Sequence, residues 1–510
     1  MSKNLIVCSD GTGNEGGSTP SSNVYKVYKA VDKHYKEKSF VAEDREIDEQ
    51  IVFYDNGVGT EKNKYRRLLG GAIGFGFEDN VCDLYRFLAR NYEPGDRIYF
   101  FGFSRGASTV RACIGFISIC GLAKGKGLRS RELNKLVIEA FDAYRVRLKK
   151  PEKAQKIKES ERSHGAIDIH FVGIWDTVVA LGFPTRTDIT GPVSAIFNAI
   201  FGLVEKVADT IWPHSFYDFR LTEKNKNAYQ ALAIDDERTA FWPFIWREKE
   251  TTTQVEQVWF AGMHSNVGGG YGRSGTASIP LYWMMLRAKE NGLEFYDDAL
   301  QNAYEDSNYH GRIHDSRDGF GLMYRYHPRE IEKLCDGRLK GNIRLHNSVI
   351  HRIRHRTANY TPGQLPGKFD VVENDRQKPA VTWNPGKNPQ WAELRAEIDG
   401  WVLKRKGLYA TMLVFLISTF YAAFHLRNAD YPGARVGFWR LPANFLDFFL
   451  PDFLDGLITY AVAQHYMIFI CTAVAIYIYV KVRKWCRTKT DDACERLRHL
   501  IIQYEPESNE

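Results

Sequence analysis

The chain has 510 residues, 44% of them hydrophobic, enough for a sizeable core and for two or three domains or one large elaborated one, which excludes a disordered protein. Sixty-nine basic against 62 acidic residues leave a net charge of +7, too diffuse to argue for a nucleic-acid surface. The eight cysteines, at 8, 82, 113, 120, 335, 471, 486 and 494, form no C-x-x-C pair and no short even framework, so reduced thiols in a cytoplasmic setting are expected, with neither zinc nor a disulfide scaffold.

The opening MSKNLIVCSDGTG loses its apolar character at Cys8 and lacks the long apolar core and small-residue cleavage site of a signal peptide, so the chain is expected to start in the cytosol. Five short apolar runs then end in polar, glycine-rich residues: NLIVCSDGTGN, QIVFYDNGVGT, RIYFFGFSRGA, IHFVGIWDTV and QVWFAGMHSNVGGGY. Each reads as a buried strand of a parallel sheet with its functional residues at the carboxyl end. Between them lie helical patterns, with Val24, Val27, Tyr28 and Val31 on one face and Val81, Leu84, Tyr85 and Leu88 on another. The fold class is therefore α/β, an α/β-hydrolase-like, mostly parallel sheet with helical insertions at about 124–165 and 184–225. The second insertion carries SAIFNAIFGLVEKVADTIW, either a lid over the site or an ordinary packed helix. Residues 1–300 form the expected catalytic domain, and 301–400 an ancillary region packed on it.

The last hundred residues differ. GLYATMLVFLISTFYAAFHL, 407–426, and LITYAVAQHYMIFICTAVAIYIYV, 457–480, carry no formal charge, and both are flanked by Lys and Arg. The expectation is a transmembrane hairpin within 401–490, with a connecting segment lying in the far interface and a cytoplasmic tail at 491–510. That makes a multi-pass protein of the inner (cytoplasmic) membrane whose catalytic domain and tail face the cytoplasm.

Gly102-Phe103-Ser104-Arg105-Gly106 is a G-x-S-x-G pattern, weak alone but preceded here by the strand RIYFFGF and followed by the helical RGASTVRACIGFISIC. A serine on that sharp turn is a nucleophile only with a histidine base, and the histidine needs a carboxylate to fix its tautomer. In the chain order Ser, Asp, His, the candidates ending later apolar runs are Asp176 and His264. The backbone N–H groups of Arg105, at the start of the helix, and of Gly11, Thr12 and Gly13 are candidate oxyanion donors. Gly11 to Gly16 also matches the dinucleotide pattern G-x-G-x-x-G, but Pro20 delays the next helix to about Ser22, which argues against a nucleotide cofactor.

The stretches SDGTGN, YDNGVGT, GFSRGA, IWDTV, ALAIDDERTAFWP, VWFAGMHSNVGGGY and RLHNSVIHRI, in that order, resemble the bacterial α/β-hydrolase-like lipases typified by the first class of type VI secretion phospholipase effectors. The resemblance implies a triad on Ser104, Asp176 and His264 and membrane phospholipids as substrate, with room for a regulatory or immunity partner, and the triad chemistry itself needs no cofactor or metal. The family stretch reads H-S-D-[IV]-G-G-G-Y, and Asn266 stands here in place of its acid, with activity expected to survive. Asp235, Asp236, Glu237 and Arg238 read as a buried ion-pair network, and His351 and His355, interleaved with Arg352, Arg354 and Arg356, as a basic patch rather than a metal site. The expected activity is a membrane-anchored serine hydrolase of lipid acyl esters, a phospholipase A. The same sequence also fits a membrane-perturbing hairpin with an inactive hydrolase domain, or a thioesterase or deacylase.

Overall fold

The computed structural model describes residues 2–11, 20–33, 49–56, 76–178, 217–318, 321, 324–427 and 466–504. The expected lid and the connecting segment of the expected hairpin fall largely or wholly outside these residues, as do Thr12 and Gly13.

All five expected strands form: β1 (Lys3–Ser9), β2 (Glu49–Asp55), β3 (Arg97–Phe103), β4 (Ile169–Trp175) and, after an intervening β5 (Asn225–Ala233), β6 (Gln254–Phe260). Three short strands, β7 (Ile343–His346), β8 (Phe369–Val372) and β9 (Val381–Trp383), extend the sheet to nine in the order β2-β1-β3-β4-β5-β6-β7-β8-β9. Every pairing is parallel except β8 with β9. This is the mostly parallel α/β sheet that the alternating pattern predicted.

Successive strand side chains point to opposite faces, and the core divides accordingly. Leu5, Val7, Ile98 and Phe100 pack with the helices α2 (Phe77–Asn91) and α3 (Arg105–Cys120), whereas Ile6, Cys8, Tyr99, Phe101 and Phe103 pack with α1 (Asn23–Ala30) on the other face. Burial on both faces explains why these strands read as continuous apolar runs rather than as alternating ones. The charged excursion after α3 forms α4 (Ser130–Val146) and α5 (Pro151–Lys158). Helix α1 starts after Ser22, whose hydroxyl accepts the Tyr25 N–H as an N-cap, at the position Pro20 predicted. After β6 come α6 (His264–Gly268), α7 (Gly275–Glu290), α8 (Ala299–Glu305), α9 (Ile331–Cys335) and, following β7, α10 (Asn347–Arg354).

The chain divides into two compact units, one of Met1–Tyr324, Pro328–Lys387 and Ile502–Glu510, the other of Arg325–His327 and Asn388–Ile501. The second contains α11 (Pro389–Arg427) and α12 (Tyr466–Gln503). Here the transmembrane expectation fails: among the described residues no helix is long and apolar enough to cross a membrane, and the inner-membrane, multi-pass placement falls with it. Segment 407–426 is the later part of one 39-residue helix whose earlier part carries Glu393, Arg395, Glu397, Asp399, Lys404, Arg405 and Lys406. Gly407, Tyr409, Thr411, Ser418 and Thr419 dilute its apolar character further. Of the second expected span, 457–465 lie outside the described residues, and 466–480 open a helix that continues through Lys481, Arg483 and Lys484. The two helices meet through an edge-on Trp401–Trp485 pair and an ion pair between Glu397 and Arg496 at 2.6 Å.

Candidate active site at the carboxyl edge of the sheet

Strand β3 ends in a turn at Ser104 with φ 58° and ψ −123°, a conformation that costs a non-glycine residue strain. The Ser104 side chain makes no capping bond to α3, so its hydroxyl is not committed to the helix it precedes. Both flanking glycines are needed for space. A Cβ on Gly102 would lie 2.7 Å from the Ala107 Cα, and one on Gly106 would lie 2.1 Å from the Ser9 carbonyl oxygen. The G-x-S-x-G spacing thus follows from a strand reversing into a helix beside β1.

Phe103 pairs with Trp175 across β3 and β4, so Ser104 and Asp176 leave the sheet side by side, and the Ser104 N–H donates to the Trp175 carbonyl at 3.1 Å. Asp176 also has positive φ, 41°, and is fully buried. Its carboxylate accepts the Ala233 N–H at 3.0 Å and both terminal nitrogens of Arg329, at 2.6 and 2.7 Å. Burial pushes the Asp176 carboxyl up, but the Arg329 guanidinium and the bond to His264 outweigh it and hold the group below the usual carboxylate range.

His264 opens α6 just beyond β6, and its Nδ1 lies 2.5 Å from Asp176 Oδ2. An ionised carboxylate can only accept, so Nδ1 donates, and in the neutral imidazole Nε2 carries the lone pair. That Nε2 is buried and has no hydrogen-bond partner among the described residues, Ser104 Oγ included. Phe103 lies against the ring, with centroids 4.6 Å apart, and Phe241 meets it edge-on at 5.0 Å. The ring is thus held by one polar bond and two apolar walls, with its basic nitrogen uncommitted.

Of the expected oxyanion donors, Arg105 is the first residue of α3, where an N–H has no intrahelical acceptor. The Gly11 N–H donates to Asp10 Oδ1 at 2.6 Å. Asp10 itself is buried and accepts from Tyr54 and Ser22.

The Asp235–Arg238 stretch is a partly buried network in which Asp236 is fully enclosed, and it reaches the histidine loop. Asp236 accepts the His264 N–H at 3.3 Å and pairs with Arg238 at 2.7 Å, while Asp235 accepts the Gly262 N–H at 2.6 Å. Asn266 is also buried: its Nδ2 donates to the Arg312 carbonyl at 3.1 Å and its Oδ1 accepts the His314 N–H at 3.1 Å. His351 and His355 stack 5.9 Å apart on α10 and its cap, and no cluster of three or more metal-ligating side chains occurs among the described residues. The residue that sequence reasoning missed is Arg329. No spacing or motif marks the arginine of HPRE, since its meaning lies only in the distant carboxylate it meets.

A mostly parallel sheet with a buried Asp–His pair and a strained serine at its carboxyl edge defines a class of α/β proteins whose chemistry sits where strands give way to helices. Residues 3–287 match the family described as T6SS, Phospholipase effector Tle1-like, catalytic domain, and the chain belongs to it. Aligned over 199 residues, the chain is 30% identical to the uncharacterized protein YEL023C of Saccharomyces cerevisiae, the match covering 35% of this chain and 27% of that protein. An uncharacterized protein from Pseudomonas aeruginosa superposes at a TM-score of 0.34 and 16% identity, covering 61% of this chain and 49% of that one. The Tle1 effector bound to the VgrG spike from the type 6 secretion system superposes at 0.26 and 16% identity, covering 53% and 51%. The chain therefore spans about half the length of the two solved structures and about a quarter of the yeast protein.

Proposed function

We propose that the chain is a serine hydrolase of lipid acyl esters, a phospholipase A, in which Ser104 is the nucleophile, His264 the base and Asp176 the orienting acid. Membership of the phospholipase effector family supports the substrate class. The observation that carries the reading is the buried 2.5 Å bond from His264 Nδ1 to Asp176, which leaves the histidine's other nitrogen basic and uncommitted.

In this reading His264 Nε2 takes the Ser104 hydroxyl proton as Oγ attacks the ester carbonyl carbon. The π pair moves to the carbonyl oxygen, which the Arg105 N–H and an N–H of Thr12 or Gly13 stabilise, the Gly11 N–H being taken by Asp10. Collapse breaks the bond to the leaving oxygen, and the proton on Nε2 passes to it, releasing a lysophospholipid and leaving Ser104 acylated. Water, deprotonated by the same nitrogen, then hydrolyses the acyl-enzyme to a fatty acid and restores the serine hydroxyl. These steps require no metal or cofactor.

The test is hydrolysis of a fluorogenic phospholipid by the full chain and by Ser104→Ala, with products followed by lipid mass spectrometry. The expected loss in the variant is on the order of 10³-fold or more, with lysophospholipid and fatty acid formed only by the wild type. Equal rates would remove the assignment, and faster cleavage of a thioester than of any phospholipid would redirect it.

A further inference from the structure

We infer that Arg329 is a positioning residue of the Asp176–His264 dyad, its buried fork fixing the carboxylate that orients the imidazole and offsetting that carboxylate's charge. The inference rests on the triad reading of Ser104, His264 and Asp176.

A carboxylate offers about four lone-pair positions, and that of Asp176 has four donors: Ala233 N–H, two arms of Arg329 and His264 Nδ1. With every position occupied the carboxylate cannot turn, and the imidazole inherits that rigidity. The same guanidinium donates to the carbonyls of Ala233 and Phe241. Phe241 is the edge-on wall of His264, so one side chain holds both the acid and the aromatic surface that define the ring's place.

Neutral donors alone would suffice to orient a carboxylate, and a charged one adds an electrostatic effect. An imidazolium beside a lone buried carboxylate is strongly stabilised, and beside an Arg–Asp pair of nearly zero net charge it is stabilised less. The dyad then takes up its proton at lower pH, and the base stays competent further into acid. The charged groups packed around are Asp235 and Asp236, Arg238 paired to Asp236, and Arg352 facing Asp235. Among the described residues Arg329 is the cation in contact with Asp176 itself.

The experiment compares full-length wild type, Arg329→Gln, Arg329→Lys and Ser104→Ala by kcat/KM against pH on a phospholipid, by thermal unfolding, and by the low-field NMR resonance of the His264 Nδ1 proton. Arg329→Lys keeps the charge and loses the fork, so its kcat should fall about tenfold with the acid limb unmoved. Arg329→Gln loses both, so its kcat should fall on the order of 100-fold and its acid limb should rise by about one pH unit or more. A folded Arg329→Gln enzyme with an unmoved limb overturns the charge role. If that variant does not fold, Arg329→Lys decides: wild-type kcat and an unchanged resonance overturn the inference, whereas a lowered kcat with a shifted or lost resonance supports it. Activity that survives Ser104→Ala marks failure of the triad reading, and Ser104-dependent activity indifferent to residue 329 marks failure of this inference alone.

Discussion

Gly106 lies so close to the end of β1 that a Cβ built on it would sit 2.1 Å from the Ser9 carbonyl oxygen and 2.5 Å from that of Asp10. Backbone atoms on both sides leave no flexible side chain to give way. Gly106→Ala is therefore expected to push α3 off β1, destabilising the protein by about 1–3 kcal/mol and lowering hydrolysis by more than tenfold. Urea unfolding and a phospholipid assay check both, and a variant of wild-type stability and rate would refute the close approach.

Gly268 makes a comparable approach to a side chain, with a built Cβ 1.9 Å from the Phe103 ring. That ring is one of the two walls of His264. Gly268→Ala should displace the wall, so kcat is expected to fall by about tenfold or more while much of the fold survives. Unfolding and steady-state kinetics together distinguish this from general destabilisation.

Asn266 donates to one carbonyl and accepts from one N–H, a pair of roles an aspartate cannot fill when ionised. Asn266→Asp, which restores the acid of the family stretch, should therefore destabilise this chain by about 1–3 kcal/mol at neutral pH, because the buried side chain at 266 would turn a charged oxygen toward the Arg312 carbonyl. A thermal melt equal to wild type would show that the 312–314 segment adapts.

Asp176 and Arg329 are each other's neutralising partner, and both are fully buried. Asp176→Asn should thus cost stability, about 3–5 kcal/mol, as well as rate, since it strands a buried guanidinium. Arg329→Met added to Asp176→Asn should recover much of the fold without recovering activity. A double variant no more stable than Asp176→Asn would contradict the pairing as the source of the loss.

Burial raises the Asp235 carboxyl to about 6 from an ordinary 3.8, against the bonds donated by Gly262 and Tyr360. A carboxyl raised in the folded state binds its proton more tightly there than in the unfolded chain, so its stabilising contribution is complete below 3.8 and vanishes as pH climbs through about 6. Asp55, raised to about 7 by burial, adds a contribution of the same sign over a wider range. Asp235→Asn keeps an acceptor for both donors, so stability measured by urea between about pH 4 and pH 6.5 should fall less steeply with rising pH than in wild type. Parallel curves for the two proteins would rule Asp235 out.

The core strands were legible because a doubly covered parallel strand must be apolar on both sides, which NLIVC, RIYFF and IHFVGIW are. Strand β5, NKNAYQALA, was harder to see, for it mixes Asn, Lys and Gln with small residues whose burial is decided by β4 and β6 on either side. The short strands β7 to β9 have three or four residues each and no period long enough to read. In the C-terminal segment an uncharged run of 20 residues looked like a membrane span. The observed helix is nearly twice that length, and its charged half pairs with a second helix, which no window confined to the apolar run registers.

Residue types and order along the chain were enough to select Ser104, Asp176 and His264, because a strand ending in a tight turn leaves its mark within a few neighbouring positions. What lies across the sheet could only come from tertiary structure. The fork of Arg329 on Asp176 joins residues 153 positions apart, and the hold of Asp236 on the His264 loop spans 28. Such contacts are set by which strands lie side by side, a property of the packed chain that no local pattern encodes.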